Sequence, residues 1–140
     1  MKKTLHSLLS VLLTMVILCA SVLPAFAVDE GASTYMTNCA HASMNFTVVD
    51  GEAHFAVTYY AREATFTQAK LTVQIQKKFL LFFWKDVAEE WVGYSTDLEG
   101  MFVDAIPVDA TGTYRAIFKL EVFGTTTTDV IEDTINSVAS

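Results

Sequence analysis

From residue 45 onward apolar and polar side chains alternate in block after block, and no window carries a sustained 3.6-residue apolar period. Alternation with period two buries one face of a segment and wets the other, the mark of a half-buried β-strand. Phe46 and Val48 alternate with Asn45 and Thr47. Asp50-Gly51 follows, a two-residue hairpin signal because both residue types tolerate positive φ. Phe55, Val57 and Tyr59 alternate with His54, Ala56 and Thr58, and Leu71, Val73 and Ile75 with Thr72, Gln74 and Gln76. The clearest strand is last: Tyr114, Ala116, Phe118, Leu120 and Val122 alternate with Thr113, Arg115, Ile117, Lys119 and Glu121.

Weaker patterns complete the set. Residues 35–42 read as a first strand. Residues 84–94 are strand-like, but the phase slips between Val87 and Trp91, which predicts a bulge near Glu89 or Glu90. Residues 101–108 form another strand, with Pro107 making it an edge or an ending. Residues 125–135 pair back after Phe123-Gly124, and the threonines at 125–128 suit a half-exposed edge. Seven or eight short strands at regular spacing predict an all-β, antiparallel sandwich. No repeat, linker or second domain is visible.

The N-terminus changes the chain to which this pattern applies. Met1-Lys2-Lys3 is a positive start, residues 8–22 are an apolar run, and Pro24 precedes Ala25-Phe26-Ala27, an A-x-A site. Together these describe a secretory signal peptide at residues 1–27, cleaved after Ala27, with a single domain at 28–140. The run is short for a retained membrane span. Removing it leaves 113 of the 140 residues and, with Lys2 and Lys3 gone, takes the formal charge from −7 to −9. An acidic domain of this kind lacks the basic face that nucleic acid requires. Cys19 leaves with the leader, so Cys39 has no internal disulfide partner. It is expected to be a small buried apolar residue rather than a free thiol that cross-links two chains.

One corner carries a structural device. Gly112 permits a tight turn and Tyr114 opens the strongest strand, the arrangement of a tyrosine corner, whose hydroxyl bonds the backbone a few residues upstream. Antibody domains have a cysteine two positions later; here it is Ala116. The expectation is an Ig-like sandwich of seven or eight strands without an internal disulfide, with Gly112, Tyr114 and Trp91 as structural residues. The stretch Gln74-Ile75-Gln76-Lys77-Lys78, then Trp84-Lys85, Trp91 and Gly112-Thr113-Tyr114-Arg115, resembles a group of small secreted proteins of gut Clostridia and related Gram-positive bacteria. The likeness covers roughly residues 70–135, with Ile75 where leucine is usual. It departs at residues 79–83, where small polar turn residues are expected. It implies an Ig-like sandwich and export, and it supplies no catalytic residue.

That departure is the odd feature of the chain. Lys77, Lys78 and Lys85 bracket six apolar residues in a row, Phe79, Leu80, Leu81, Phe82, Phe83 and Trp84. A hairpin tip ordinarily carries Gly, Asn or Asp. With the turn near Leu80-Leu81, not all of these side chains can face a core. Exposed apolar patches mark contact sites or aggregation hazards. The lysines suit gatekeeping or attraction to anionic lipid. Inward folding of Phe79, Phe83 and Trp84 is the competing structural reading.

Other candidate chemistry is weaker. Asp97, Glu99 and Asp104 match no calcium loop, and a solvated acidic face is expected. Asp86, Glu89 and Glu90 are candidate paired carboxylates for a small hydrolase, which would need a cleft and aligned partners. His41 and His54 are too isolated to be metal ligands. No nucleophile elbow, zinc-protease or phosphate-loop motif occurs. The expectation is therefore an exported or cell-surface, non-catalytic binding module without cofactor or metal. Its contact surface would be residues 77–85. Its partner would be a protein or glycan at the cell surface, a peripheral membrane contact, or a second copy of the chain.

Overall fold

The computed structural model describes residues 36–140, and the segment at 1–27 expected to be a leader lies outside them. Eight strands follow one another: β1 Cys39–Val49, β2 Glu52–Ala61, β3 Phe66–Phe79, β4 Phe83–Asp86, β5 Trp91–Ser95, β6 Glu99–Pro107, β7 Thr113–Gly124 and β8 Thr128–Val138. They form two antiparallel sheets. One has the order β1-β2-β6; the other runs β4-β3-β7-β8, with β5 also on β3. Strands one, two and six thus face strands three, seven and eight, the Greek-key arrangement of an Ig-like β-sandwich.

The alternation seen in the sequence fills the core. Phe46 and Val48 of β1, Phe55, Val57 and Tyr59 of β2, and Phe102 of β6 point inward from one sheet. Leu71, Val73 and Ile75 of β3 and Tyr114, Ala116, Phe118, Leu120 and Val122 of β7 point inward from the other. Aromatic edges interlock across the gap: Phe55 meets Phe118 at 6.4 Å and Trp91 at 5.0 Å between ring centroids. Asp50 and Gly51 both have positive φ, at 51° and 78°, as a two-residue turn between twisted strands requires.

Three boundaries differ from the sequence pattern. Residues 35–42 and 45–48 are not separate strands: β1 is continuous from Cys39 to Val49, with an irregularity between Cys39 and His41. Ala42 and Met44, half-buried against the core, continue the inward phase of Phe46 and Val48, so the alternation runs unbroken through the expected boundary after Ala42. Residues 84–94 are not one bulged strand but two, β4 and β5, both laid along the same edge of β3. Asp86 pairs with Gln76 and Trp91 with Val73, so the chain carries two residues more than β3 does between those pairs. An excess of two preserves the facing of every side chain. Trp84 and Trp91 therefore lie on opposite faces without a one-residue bulge. The break is held by Val87 N–H donating to the Ile75 carbonyl and Gln74 Nε2 donating to that of Ala88, each at 3.1 Å. Finally, β8 starts at Thr128, and the first threonines belong to the turn.

The start of the described chain is tied to β8 by contacts no local pattern announces. Asp129 accepts the backbone N–H groups of Asn38 and Cys39 at 2.7 and 2.8 Å. Asn38 is fully buried beside Gly124, where any Cβ would overlap its amide. Its Nδ2 donates to the Thr127 carbonyl at 2.9 Å. Cys39 is a free thiol, fully buried, and burial pushes its pKa up. Only the thiolate reacts with disulfide reagents. Cys39 in the native protein should therefore resist Ellman's reagent at pH 8, while a chain of residues 28–140 in denaturant should release one equivalent. Rapid native labelling would contradict this burial.

Candidate functional site: an apolar hairpin and the cleft behind it

β3 is the longest strand, at 14 residues. Its pairing with β7 stops at Lys77 opposite Tyr114, where β7 begins. Beyond that point only β4 accompanies it, through Lys78↔Trp84 and Phe79↔Phe83. The β3–β4 hairpin therefore overhangs the sandwich. Phe79 and Phe83 stand in the inward phase shared with Val73, Ile75 and Lys77, but nothing lies opposite to bury them. They are 60% and 64% exposed. The three-residue turn of Leu80, Leu81 and Phe82 is more open still, reaching 82% at Phe82. Inward folding of Phe79 and Phe83 is thus not what the structure shows.

Leu80 turns the corner with φ at 56°, a left-handed conformation. For a side chain with a Cβ that region costs about 1–2 kcal/mol. The tip thus combines strain with exposed hydrocarbon, where a glycine or asparagine would relieve both.

Trp84 takes the opposite, outer face. The Arg115 guanidinium carbon lies 4.4 Å from its ring centroid, a cation–π contact. Arg115 Nε donates to Gln76 Oε1 at 2.7 Å, and Gln76 Nε2 donates to Asp86 Oδ1 at 2.7 Å. This chain of contacts braces the root of the hairpin. The sequence reading placed Trp84 in the apolar run and gave Arg115 and Gln76 no part; they meet only through the β3–β7 register, which sets Gln76 beside Arg115.

Lys77 and Lys85 are direct cross-strand partners on the inner face. The Lys77 ammonium reaches Asp109 at 2.8 Å and lies 5.5 Å from the Tyr114 ring centroid. The Asp109 carboxylate holds the Lys77 pKa up, and Lys77 holds that of Asp109 down. The pair thus stays charged until pH falls through the lowered Asp109 value or rises through the raised Lys77 value. Among the described residues neither Lys78 nor Lys85 has an acidic partner within 4.0 Å.

The same corner holds Asp109 in place. Tyr114 is fully buried and its hydroxyl donates to the Asp109 carbonyl at 2.9 Å, five residues upstream. That is the geometry of a tyrosine corner. Gly112, at φ 109°, lies under Lys77, whose Cε would be 2.8 Å from an added Cβ. Trp91 packs its ring between Phe55 and Phe102, with Nε1 donating to Asp104 at 2.7 Å. Between the corner and the overhanging hairpin opens a cleft of about 630 Å³. Lys77, Phe79, Lys85 and Val87 line it from the hairpin, and Val108 and Asp109 from the corner.

The remaining candidates are not brought to one site. Asp86 reaches the cleft, whereas Glu89 and Glu90 are exposed and do not line it. Asp104 is the acceptor for the Trp91 indole. His54 lies 3.4 Å from Glu52 on the surface. Among the described residues no three His, Cys, Asp or Glu side chains cluster as metal ligands. The chain matches no family model, no curated protein and no solved structure.

Removing the Tyr114 hydroxyl leaves a backbone carbonyl unpaired behind the cleft, at a cost of about 1–2 kcal/mol. Tyr114→Phe should lower the melting temperature by roughly 5–10 °C. An unchanged melting temperature would show that the hydroxyl holds nothing.

Proposed function

We propose that the protein is an exported, non-catalytic binding module that meets its partner with the β3–β4 hairpin. One observation carries the reading: an unbroken run of five exposed apolar side chains, Phe79 to Phe83, on a strained turn that overhangs the sandwich. A sequence selected only for folding would place polar residues and glycine there. The cost in strain and in aggregation risk is compensated when another surface covers the tip. Export rests on the leader pattern at residues 1–27.

A membrane surface is the second reading, and the lysines favour it. Lys77 and Lys85 lie two residues behind Phe79 and Phe83, about 7 Å back along the strands. Apolar faces of interfacial segments enter a bilayer by about 5–10 Å, which would leave these ammonium groups level with lipid phosphates. The acidity of the rest of the domain opposes the approach, so binding would depend on salt.

The test uses the mature protein and its Leu81→Ser/Phe82→Ser variant. Both side chains are exposed, so the variant should melt within a few degrees of the wild type and lose association. Flotation with phosphatidylglycerol and with phosphatidylcholine vesicles reads the lipid contact. A photo-crosslinking residue at position 81, displayed to the exporting cells, reads a protein or glycan contact, with one at position 126 as control. A variant that unfolds would show the tip to be part of the core, and a variant that associates as well as the wild type would remove the hairpin from the contact.

A further inference from the structure

We infer that the cleft behind the hairpin binds an anionic amphiphile, with its head on Lys77 and Lys85 and its hydrocarbon chain against the apolar lining beside them. The inference deepens the hairpin reading by naming a ligand class for the same end of the molecule. It starts from a local conflict. Like charges directly opposite each other on one face of a strand pair are destabilising. Lys77 and Lys85 occupy such a pair, and both line the cleft. Conflicts of this kind concentrate at functional sites.

The charges around the cleft are already partly assigned. Its acids are Asp86 and Asp109. Asp86 accepts from Gln76, and Asp109 is bound to Lys77. Lys85 is left without an acidic partner within 4.0 Å among the described residues. An anionic head beside it satisfies Lys85 and reduces its repulsion with Lys77. The rest of the lining argues for a hydrocarbon tail rather than a small polar anion. Phe79 lies two residues from Lys77 on the tip side and Val87 two residues from Lys85 on the root side, with Val108 also in the lining, so apolar side chains flank the lysines, and Phe79 continues the apolar surface to the exposed tip. The volume of about 630 Å³ lies within the range that holds small-molecule ligands. Local charge agrees: Lys77, Lys78, Lys85 and Arg115 are four of the seven basic residues that follow the leader, and all stand at this end of β3 and β7.

Monomeric laurate, below its micellar concentration, is the free probe, and phosphatidylglycerol vesicles are the membrane-borne one. The mature protein should bind at least one of them saturably, laurate being read by calorimetry. Lys85→Gln should weaken that binding about tenfold, the effect of one charge-assisted contact. Lys119→Gln, on the outer face of β7, should leave it unchanged. Dodecanol, which has the tail without the charge, should not distinguish wild type from Lys85→Gln. Because the substitution relieves a like-charge pair, its melting temperature should equal or exceed that of the wild type. The inference is overturned if neither probe binds, if Lys85→Gln binds as well as wild type, or if Lys85→Gln melts lower. Vesicle flotation that survives Lys85→Gln but not Leu81→Ser/Phe82→Ser would remove the cleft and leave the hairpin contact standing.

Discussion

The length of β3 relative to its neighbours is the constraint on which the molecule is built. Its 14 residues are flanked by β7 on one edge and by two short strands, β5 and β4, end to end on the other. Over its first two-thirds, alternate side chains enter the core. Over its last turns of pleat the same alternation continues, but the sandwich has ended. Phe79 therefore carries a core-type side chain into solvent, and Lys77 points toward an opposing corner instead of a sheet. Overhang, cleft and apolar tip are three consequences of one strand outrunning its partners.

The end of β3 is also where the electrostatics are least settled. Away from it, Lys70 and Lys119 share Glu121. At the hairpin root the pairing is incomplete: Asp109 serves Lys77, while Lys85 faces Lys77 without an acid of its own. The outer face is resolved differently, with Arg115 satisfied by Gln76 and by the Trp84 ring. One face of the hairpin is closed by its own contacts, and the other is left open toward the cleft. That asymmetry leaves the inner face free for the proposed ligand, while the outer face braces the hairpin root.

Much of the architecture was legible along the chain. The strands β2, β3 and β7 are buried on one face only, so their periods appear as clean alternation, and Asp50-Gly51 marks its turn because few residue pairs adopt two positive φ values. The apolar tip was legible as a breach of turn chemistry. Less visible was the extent of β1, whose first half buries only the small Cys39 fully and leaves Ala42 and Met44 half-covered. The division of residues 84–94 into β4 and β5 escaped local reading because its cause is the pairing of both pieces with one distant edge. Asp129 gave no signal, since the backbone groups it binds lie about ninety residues away.

By itself the sequence determined an acidic all-β domain behind a leader-like segment, a glycine corner ahead of a buried tyrosine, and a run of hydrocarbon where a turn belongs. These are properties of neighbouring residues, and period, turn propensity and charge are local quantities. Only the tertiary structure decided that Phe79 and Phe83 lie beyond the sandwich, that Trp84 rests under Arg115, and that Lys77 and Lys85 face one cleft in which Asp109 pairs with Lys77 alone. Each of these depends on where strands stop relative to one another, and the register of distant strands is set by packing over the whole core rather than by any one segment.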